Sequence, residues 1–209
     1  MLINFSQIIK DLKIEANGLI QVGAHIGQEV PLFLENGFDP ILCFEPHSGS
    51  YKKLRESYKE RVICSNYACG KNFEDSCLFV ETTNNGQSNS LLKPKLHLKQ
   101  YPTITFESRE SVKVCPLDKF IEFFDSISNY PSKFNVLVVD VQGSELAVFK
   151  GATETLINID CIFTEVNRAE LYENCAQVDS VDAYLEQFGF KRIITNWAGN
   201  TWGDAVYAK

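Results

Sequence analysis

The residues able to do chemistry fall at the ends of short apolar runs. Leu19-Ile-Gln-Val-Gly-Ala-His-Ile-Gly27 leads an apolar segment into two glycines four residues apart. Cys43-Phe-Glu-Pro46 ends the next run on a carboxylate. Glu45 follows the glycines by about twenty residues, the spacing at which an acid can accept both hydroxyls of a ribose. Pro46 favours an extended backbone at Glu45, which suits a carboxylate presented at a strand end. Two later runs also close on acids, Asp140 after Val136-Leu-Val-Val139 and Glu165 after Cys161-Ile-Phe-Thr164. A lone buried carboxylate is costly, so Asp140 calls for a partner: a backbone N–H, a cation, a ligand ammonium, or simply the start of a helix near Ser144. Glu145 falls in the first turn of that helix, where an acid meets the dipole in any protein.

A strand that ends in a glycine turn and opens a helix brings backbone N–H groups to the carboxyl edge of a sheet, where open α/β folds bind ligands. The spacing selects among ligands. Dinucleotide turns read G-x-G-x-x-G, the second glycine admitting the pyrophosphate; here His25 stands at that place, and G-x-x-x-x-G-K-[ST] is absent as well. A glycine turn without a phosphate site, joined to a ribose-binding carboxylate, points to a nucleoside without a pyrophosphate. S-adenosylmethionine is such a molecule. The competing readings are a nicotinamide-dependent oxidoreductase using Glu45 on its ribose, opposed by His25 and the missing third glycine, and a tight turn with no ligand at all.

Only a sheet can bring these positions together. Leu19–Ala24, Ile41–Phe44, Val62–Ala68, Val136–Val141 and Cys161–Val166 carry few charges, as strands covered on both faces of a parallel sheet should. Helices are expected over Gln28–Asn36, Ser50–Lys59, Ser144–Ile157 and Ser180–Phe188, the order of an α/β sheet with right-handed crossovers. Lys191–Trp197 and Ala205–Ala208 flank a turn-rich link and predict a C-terminal antiparallel hairpin at the sheet edge. The middle segment Lys71–Val114 breaks the alternation: Cys77–Glu81 reads as a strand and Thr82–Ser90 as a polar loop, and long irregular stretches of this kind are commonly lids or binding loops.

With 209 residues, 44% of them hydrophobic, and no domain linker, the chain reads as one domain over residues 1–209. A formal charge of −7 argues against nucleic acid as partner. Met1–Lys13 has no basic region ahead of an apolar run, no run is long enough to span a membrane, and the seven cysteines form no C-x-x-C pair. The expectation is a reduced, cytoplasmic protein.

Val22-Gly-Ala-His-Ile-Gly27, Phe44-Glu-Pro46, Asn66-Tyr-Ala68, Val139-Asp-Val-Gln-Gly-Ser-Glu-Leu-Ala-Val-Phe-Lys-Gly-Ala152, Phe163-Thr-Glu165 and Gly203-Asp-Ala205 together resemble the successive motifs of the FkbM-type methyltransferases. The resemblance runs from about Leu19 to Tyr207, and its most specific element is the block that begins at Asp140. It implies a Rossmann-like class I methyltransferase fold with a mostly parallel seven-stranded sheet, S-adenosylmethionine as donor, and usually a hydroxyl of a sugar or polyketide-like small molecule as acceptor. The leading function is then O-methylation of a sugar hydroxyl in a glycan, glycolipid or glycosylated metabolite, by this domain alone or as one domain of a larger glycan-building enzyme. A non-catalytic binding module with the same fold is the bland alternative.

On this reading Gly23, Ala24, His25, Gly27, Glu45, Pro46, Asn66, Ala68, Ser88 and Asp140 contact the cofactor, with Asn66 and Ala68 beside the adenine and Ser88 and Ser90 near the methionine carboxylate. Where related enzymes carry Asp or Glu two residues before the first glycine, this chain has Gln21. Asp140, Glu165 and Glu145 are the catalytic candidates: methyl transfer needs the acceptor oxygen held in line and relieved of its proton. A carboxylate base is favoured over a Mg²⁺ held by the same acids. His47 is expected to shape the ribose pocket, and Tyr67 to pack rather than stack. His97, in Lys93-Pro-Lys-Leu-His-Leu-Lys99, belongs to a locally basic patch expected as a solvated loop face, the alternative being contact with a phosphate or carboxylate on the acceptor. Trp197, Trp202 and Tyr172 either line a sugar-binding face or close the core of the hairpin.

Overall fold

A computed structural model describes residues 1–127 and 133–209. The chain begins α1 (Phe5–Asp11), β1 (Gly18–Val22), α2 (Val30–Glu35), β2 (Ile41–Phe44), α3 (Ser48–Tyr58) and β3 (Ile63–Ser65). It continues through β4 (Ala68–Cys69), β5 (Glu74–Glu81), α4 (His97–Gln100) and β6 (Phe106–Cys115). The second half runs α5 (Leu117–Ile127), β7 (Phe134–Val139), α6 (Glu145–Lys150), α7 (Thr153–Asn158), β8 (Cys161–Asn167), α8 (Val178–Glu186), β9 (Lys191–Ala198) and β10 (Trp202–Ala208).

The main sheet has seven strands in the order β3-β2-β1-β7-β8-β10-β9. It is parallel from β3 through β8, and β10 enters antiparallel between β8 and β9, as the expected terminal hairpin requires. Every residue of β1, β2, β7 and β8 is buried, because helices cover both faces. On one face Phe5 packs against Phe33, Phe38 and Phe163 with ring centroids 4.8–5.8 Å apart. On the other, Leu117, Val148, Phe149, Leu156, Val181 and Leu185 from α5 to α8 close the core.

Three expectations change. Val62–Ala68 is not one strand: Asn66 Nδ2 donates to the carbonyls of Glu45 (2.9 Å) and Pro46 (3.0 Å), the chain turns out of the sheet, and β4 pairs with β6 instead. Ser144–Ile157 is two helices. A Cβ on Gly151 would stand 2.0 Å from the Gly70 carbonyl, so the chain breaks there to let the two backbones meet, and Asp118 then accepts the N–H groups of Glu154 and Thr155 to cap α7. The Lys71–Val114 segment is more regular than expected: β5 and β6 pair antiparallel from Glu74↔Val114 to Glu81↔Phe106 in a second sheet, β4-β6-β5, and only the loop after β5 remains irregular. That loop is held from within. The buried Glu81 carboxylate accepts the N–H groups of Thr83, Asn84 and Gly86, and Asn89 Oδ1 accepts the Glu81 N–H at 2.8 Å.

Candidate active site

The carboxyl ends of β1, β2, β7 and β8, the loop after β5, and β10 enclose a cleft of roughly 560 Å³, a volume that suits a small-molecule ligand. Its base is a backbone contact. Gly23, at φ +86°, lies so close to the end of β7 that a Cβ would sit 1.8 Å from the Asp140 carbonyl oxygen. The Gly23 and Ala24 N–H groups both donate to the Phe44 carbonyl (3.0 and 2.9 Å), and the Asp140 N–H donates to Val22. Three strand ends are thereby fixed relative to one another, and the acids that follow them inherit that fixed placement.

Glu45 occupies one end of the cleft. Its Oε2 accepts the His25 N–H and its Oε1 the His47 N–H, each at 2.8 Å. Burial pushes its pKa up to about 7, and the two N–H donors oppose that rise. Pro46, Tyr67, Ala68, Cys69 and Leu78 continue this wall. Tyr67 is exposed onto the cleft rather than packed away. His25, also at positive φ (+49°), turns its ring onto the β5 loop, with Nε2 2.7 Å from the Asn85 carbonyl. His47 instead caps α3 through Nδ1.

At the centre stand Asp140 and Glu165. Gln142, itself at φ +55°, places its amide between them, Nε2 lying 2.7 Å from Asp140 Oδ1 and 3.2 Å from Glu165 Oε2. The Gln142 Oε1 in turn accepts the Tyr172 hydroxyl at 2.9 Å. The Asp140 side chain opens onto the cleft, yet the atoms crowded around it displace bulk water and raise its pKa to about 6; the Gln142 bond counters, and Asp204 and Glu29 push further upward. Burial, then Asp140, Glu145 and Asp204, raise Glu165 well above the carboxylate range. Asp204 faces Glu165 across the β10–β8 ladder and lines the same cleft.

Glu29 completes the acidic set. Gln21 Nε2 donates to its Oε2 at 2.7 Å, so the position that lacks an acid in β1 borrows one from the turn before α2. The α-ammonium of Met1 lies 3.0 Å from Glu29 Oε1. Among the described residues no Lys or Arg lines the cleft.

Gly27, Asn66 and Glu145 stand outside it. A Cβ on Gly27 would meet Leu54 and Tyr58 of α3 at 2.7–2.9 Å, so this glycine serves helix packing. Asn66 clamps the Glu45–Pro46 turn from behind. Glu145 Oε1 accepts the N–H groups of Val141 (3.2 Å) and Gly143 (3.0 Å), fixing the turn that presents Asp140 and Gln142; burial raises its pKa to about 7 against those bonds. Ser88 lines the cleft, whereas Ser90 Oγ is spent on the Gln142 carbonyl at 2.7 Å. Trp202 lines the cleft; Trp197 lies under the Arg168 guanidinium, 3.5 Å from its ring centroid.

Residues 21–192 match the family described as the methyltransferase FkbM domain. The chain belongs to the FkbM methyltransferase family. It is 27% identical over 190 residues to the 2-O-methyltransferase NoeI of Sinorhizobium fredii, a match covering 87% of this chain and 76% of NoeI. Its fold is shared with an S-adenosylmethionine-bound magnesium protoporphyrin IX methyltransferase from Synechocystis (TM-score 0.50, 6% identity, 99% of this chain and 85% of that one). It is shared also with a Listeria monocytogenes chain assigned as an S-adenosylmethionine dependent methyltransferase (TM-score 0.54, 9% identity, 96% and 97%).

The FkbM block is thus a structural unit as much as a chemical one: Asp140 and Gln142 reach the cleft, and Gly143 and Glu145 hold the turn that delivers them. Four residues of this FkbM cleft escaped sequence reasoning. Gln142 sits inside the block, and its positive φ in a non-glycine was the missing signal. Glu29 and Asp204 follow from helix placement and antiparallel register, which spacing does not disclose. Tyr67 follows from the exit of the chain at Asn66.

Proposed function

We propose that this FkbM methyltransferase uses S-adenosylmethionine to methylate a hydroxyl of a sugar carried by a glycan, glycolipid or glycosylated metabolite, with a carboxylate as general base. The carrying observation is the Asp140–Gln142–Glu165 bridge, which holds two carboxylates of raised pKa at the centre of the cleft, away from Glu45. The residues present suit the cofactor. Glu45 offers two oxygens to a ribose diol, Tyr67, Ala68, Cys69 and Leu78 form a largely apolar wall for a purine, and Glu29 offers a carboxylate to the methionine ammonium. When bound, S-adenosylmethionine supplies a methyl group on a sulfonium.

The protein's own part is then positioning and proton removal. Asp140 or Glu165 takes the proton of the acceptor hydroxyl as the oxygen is methylated. Raised pKa values bring these acids closer to that of the proton they must receive, which favours general-base help. Gln142 keeps both in place by donating one amide to the two, the role a cation would otherwise fill. Tyr172, bonded to Gln142 Oε1, fixes the orientation of that amide. Support for oxygen as the acceptor atom comes from the similarity to a 2-O-methyltransferase.

Calorimetric titration with S-adenosylmethionine and, separately, NADH tests the donor. Saturable binding of the first alone is expected; NADH binding would revive the oxidoreductase reading, and binding of neither would favour a non-catalytic module. Turnover of sugar acceptors with EDTA present, unchanged by added Mg²⁺, is the expected result for a carboxylate base.

A further inference from the structure

The sequence places His97 in a basic stretch, and the structure removes it from solvent. Lys93 and Lys95 pair with Glu173 and Glu170 at the surface, while His97 is 4% exposed and lines the cleft. Its imidazole is wedged among three aromatic rings, with centroids 5.0 Å from Tyr101, 5.6 Å from Phe106 and 5.3 Å from Tyr172. The backbone is fastened too, the His97 N–H donating to the Leu171 carbonyl at 3.1 Å. Yet Nδ1 is buried without a partner, and among the described residues nothing hydrogen-bonds the ring at all. Buried polar atoms are nearly always paired, so an unpaired imidazole fixed on the wall of a cleft calls for a partner, and Nε2, which is not fully buried as Nδ1 is, is the ring nitrogen that a ligand in the cleft can meet.

We propose that His97 binds the acceptor by a hydrogen bond to a hydroxyl of a neutral pyranose, whose apolar face rests against Trp202 and Tyr101. The proposal rests on the methyltransferase reading above and names the acceptor half of the same cleft. Trp202 and Tyr101 both line it and are joined by the Trp202 Nε1–H bond to the Tyr101 hydroxyl at 2.8 Å, so two half-buried rings form one continuous surface. Such rings pack on the C–H face of a sugar. The absence of Lys and Arg from the described lining speaks against a phosphate or carboxylate on the acceptor. A hydroxyl both donates and accepts, and so satisfies either imidazole tautomer. Burial holds the His97 pKa below its ordinary 6.5, with Glu81 pulling the other way, so the ring is neutral at pH 7. Tyr172 links this subsite to the chemistry: its ring packs on His97 and its hydroxyl bonds Gln142, which holds Asp140 and Glu165.

The test uses the full chain loaded with S-adenosylhomocysteine and a set of methyl pyranosides (gluco, galacto and manno) as probes, read by saturation-transfer NMR and by ring-nitrogen spectra of ¹⁵N-histidine protein. With three histidines in the chain the latter are simple, and His97→Gln assigns one signal. At least one pyranoside is expected to bind and to move the His97 ring signals while those of His25 and His47 stay put. His97→Phe is expected to weaken that binding about two- to tenfold, the worth of a neutral hydrogen bond. His97→Gln, which keeps a donor and an acceptor, should restore part of the loss, and both variants should keep wild-type affinity for S-adenosylhomocysteine. A pyranoside that binds without moving the His97 signals overturns the proposal, as does a protein that binds S-adenosylhomocysteine but none of the sugars. Failure to bind S-adenosylhomocysteine at all would instead overturn the methyltransferase reading beneath it. The wild-type spectra decide the matter even if a variant does not fold.

Discussion

Glu45→Gln separates a ribose-binding carboxylate from a merely structural one. In the free protein the carboxylate is 5% exposed and takes one backbone N–H on each oxygen. A pKa lifted from 4.5 to about 7 means that at pH 8 the ionised group costs the fold about 3 kcal/mol, at roughly 1.4 kcal/mol per unit. Glutamine removes that burden. It also turns an NH₂ toward one of the two N–H donors, and leaving a buried donor unpaired costs about 1–3 kcal/mol. The two effects nearly offset, so the variant is expected to melt at or slightly above the wild-type temperature at pH 8. Binding has no such offset. A charge-assisted bond from a ribose hydroxyl is worth about 1.5–3 kcal/mol, so the Kd for S-adenosylmethionine should rise about ten- to a hundredfold. Differential scanning calorimetry and isothermal titration on the same preparation read both quantities. A variant that binds S-adenosylmethionine within twofold of wild type, or one that loses several degrees of melting temperature with affinity intact, would show that Glu45 serves the turn and not the ribose.

Glu165→Gln should lower kcat by about 10²- to 10⁴-fold with little change in cofactor affinity, whereas Glu145→Gln should cost about 1–3 kcal/mol of stability and leave kcat within a few-fold; chemical denaturation and initial rates distinguish the two. Gly27→Ala, strained at φ +83° and pressed on α3, should lower stability by about 1–3 kcal/mol while the folded fraction keeps its cofactor affinity, and Gly23→Ala, with no room beside the Asp140 carbonyl, should yield no folded protein. Glu29→Gln should weaken S-adenosylmethionine binding about tenfold, the loss of one charge-assisted bond, and titration calorimetry reads it directly. The raised pKa values of Asp140 (about 6) and Glu45 (about 7) mean that the free protein holds these two protons above the ordinary carboxylate range, giving up that of Asp140 near pH 6 and that of Glu45 near pH 7. Their contribution to stability is therefore full below the ordinary carboxylate range and lost as pH rises through 6 to 7, while affinity for a cationic cofactor climbs over the same interval with proton release, visible as a buffer-dependent heat.

How much of this was legible in the sequence depended on whether the cause was local. The end of β7 was legible because a strand buried on both faces must be apolar throughout, so the first charge after Val139 marks the sheet edge, whereas β8 runs on past Glu165 to Asn167 because β10 pairs with it there. Glu45 was legible for the same reason. The division of Ser144–Ile157 was not, because the two things that impose it, the Gly70 carbonyl and the Asp118 carboxylate, arrive from other parts of the chain. The exit of the chain after β3 depends likewise on Asn66 reaching back to the Glu45–Pro46 carbonyls. His97 was misplaced on composition: its lysine neighbours do face water, but a single helical turn puts the ring between them on the opposite side, against Tyr172.

The acidic centre shows why the C-terminal hairpin belongs to the site and not only to the sheet edge. In a wholly parallel sheet the strand beside β8 would end at the same edge and offer its last residue to the cleft. Because β10 runs antiparallel, it offers its beginning instead, Trp202, Gly203 and Asp204, and the register sets Asp204 opposite Glu165. Gly203 has backbone close above it, the Asn196 carbonyl lying 2.4 Å from where a Cβ would stand, which lets β9 press against β10 at that point. One strand start therefore supplies the aromatic surface proposed for the sugar and the third acid beside Asp140 and Glu165. Those acids are held by amides and backbone N–H groups, and among the described residues no lysine or arginine lines the cleft, so a sulfonium with a methionine ammonium is the kind of ligand such a lining favours.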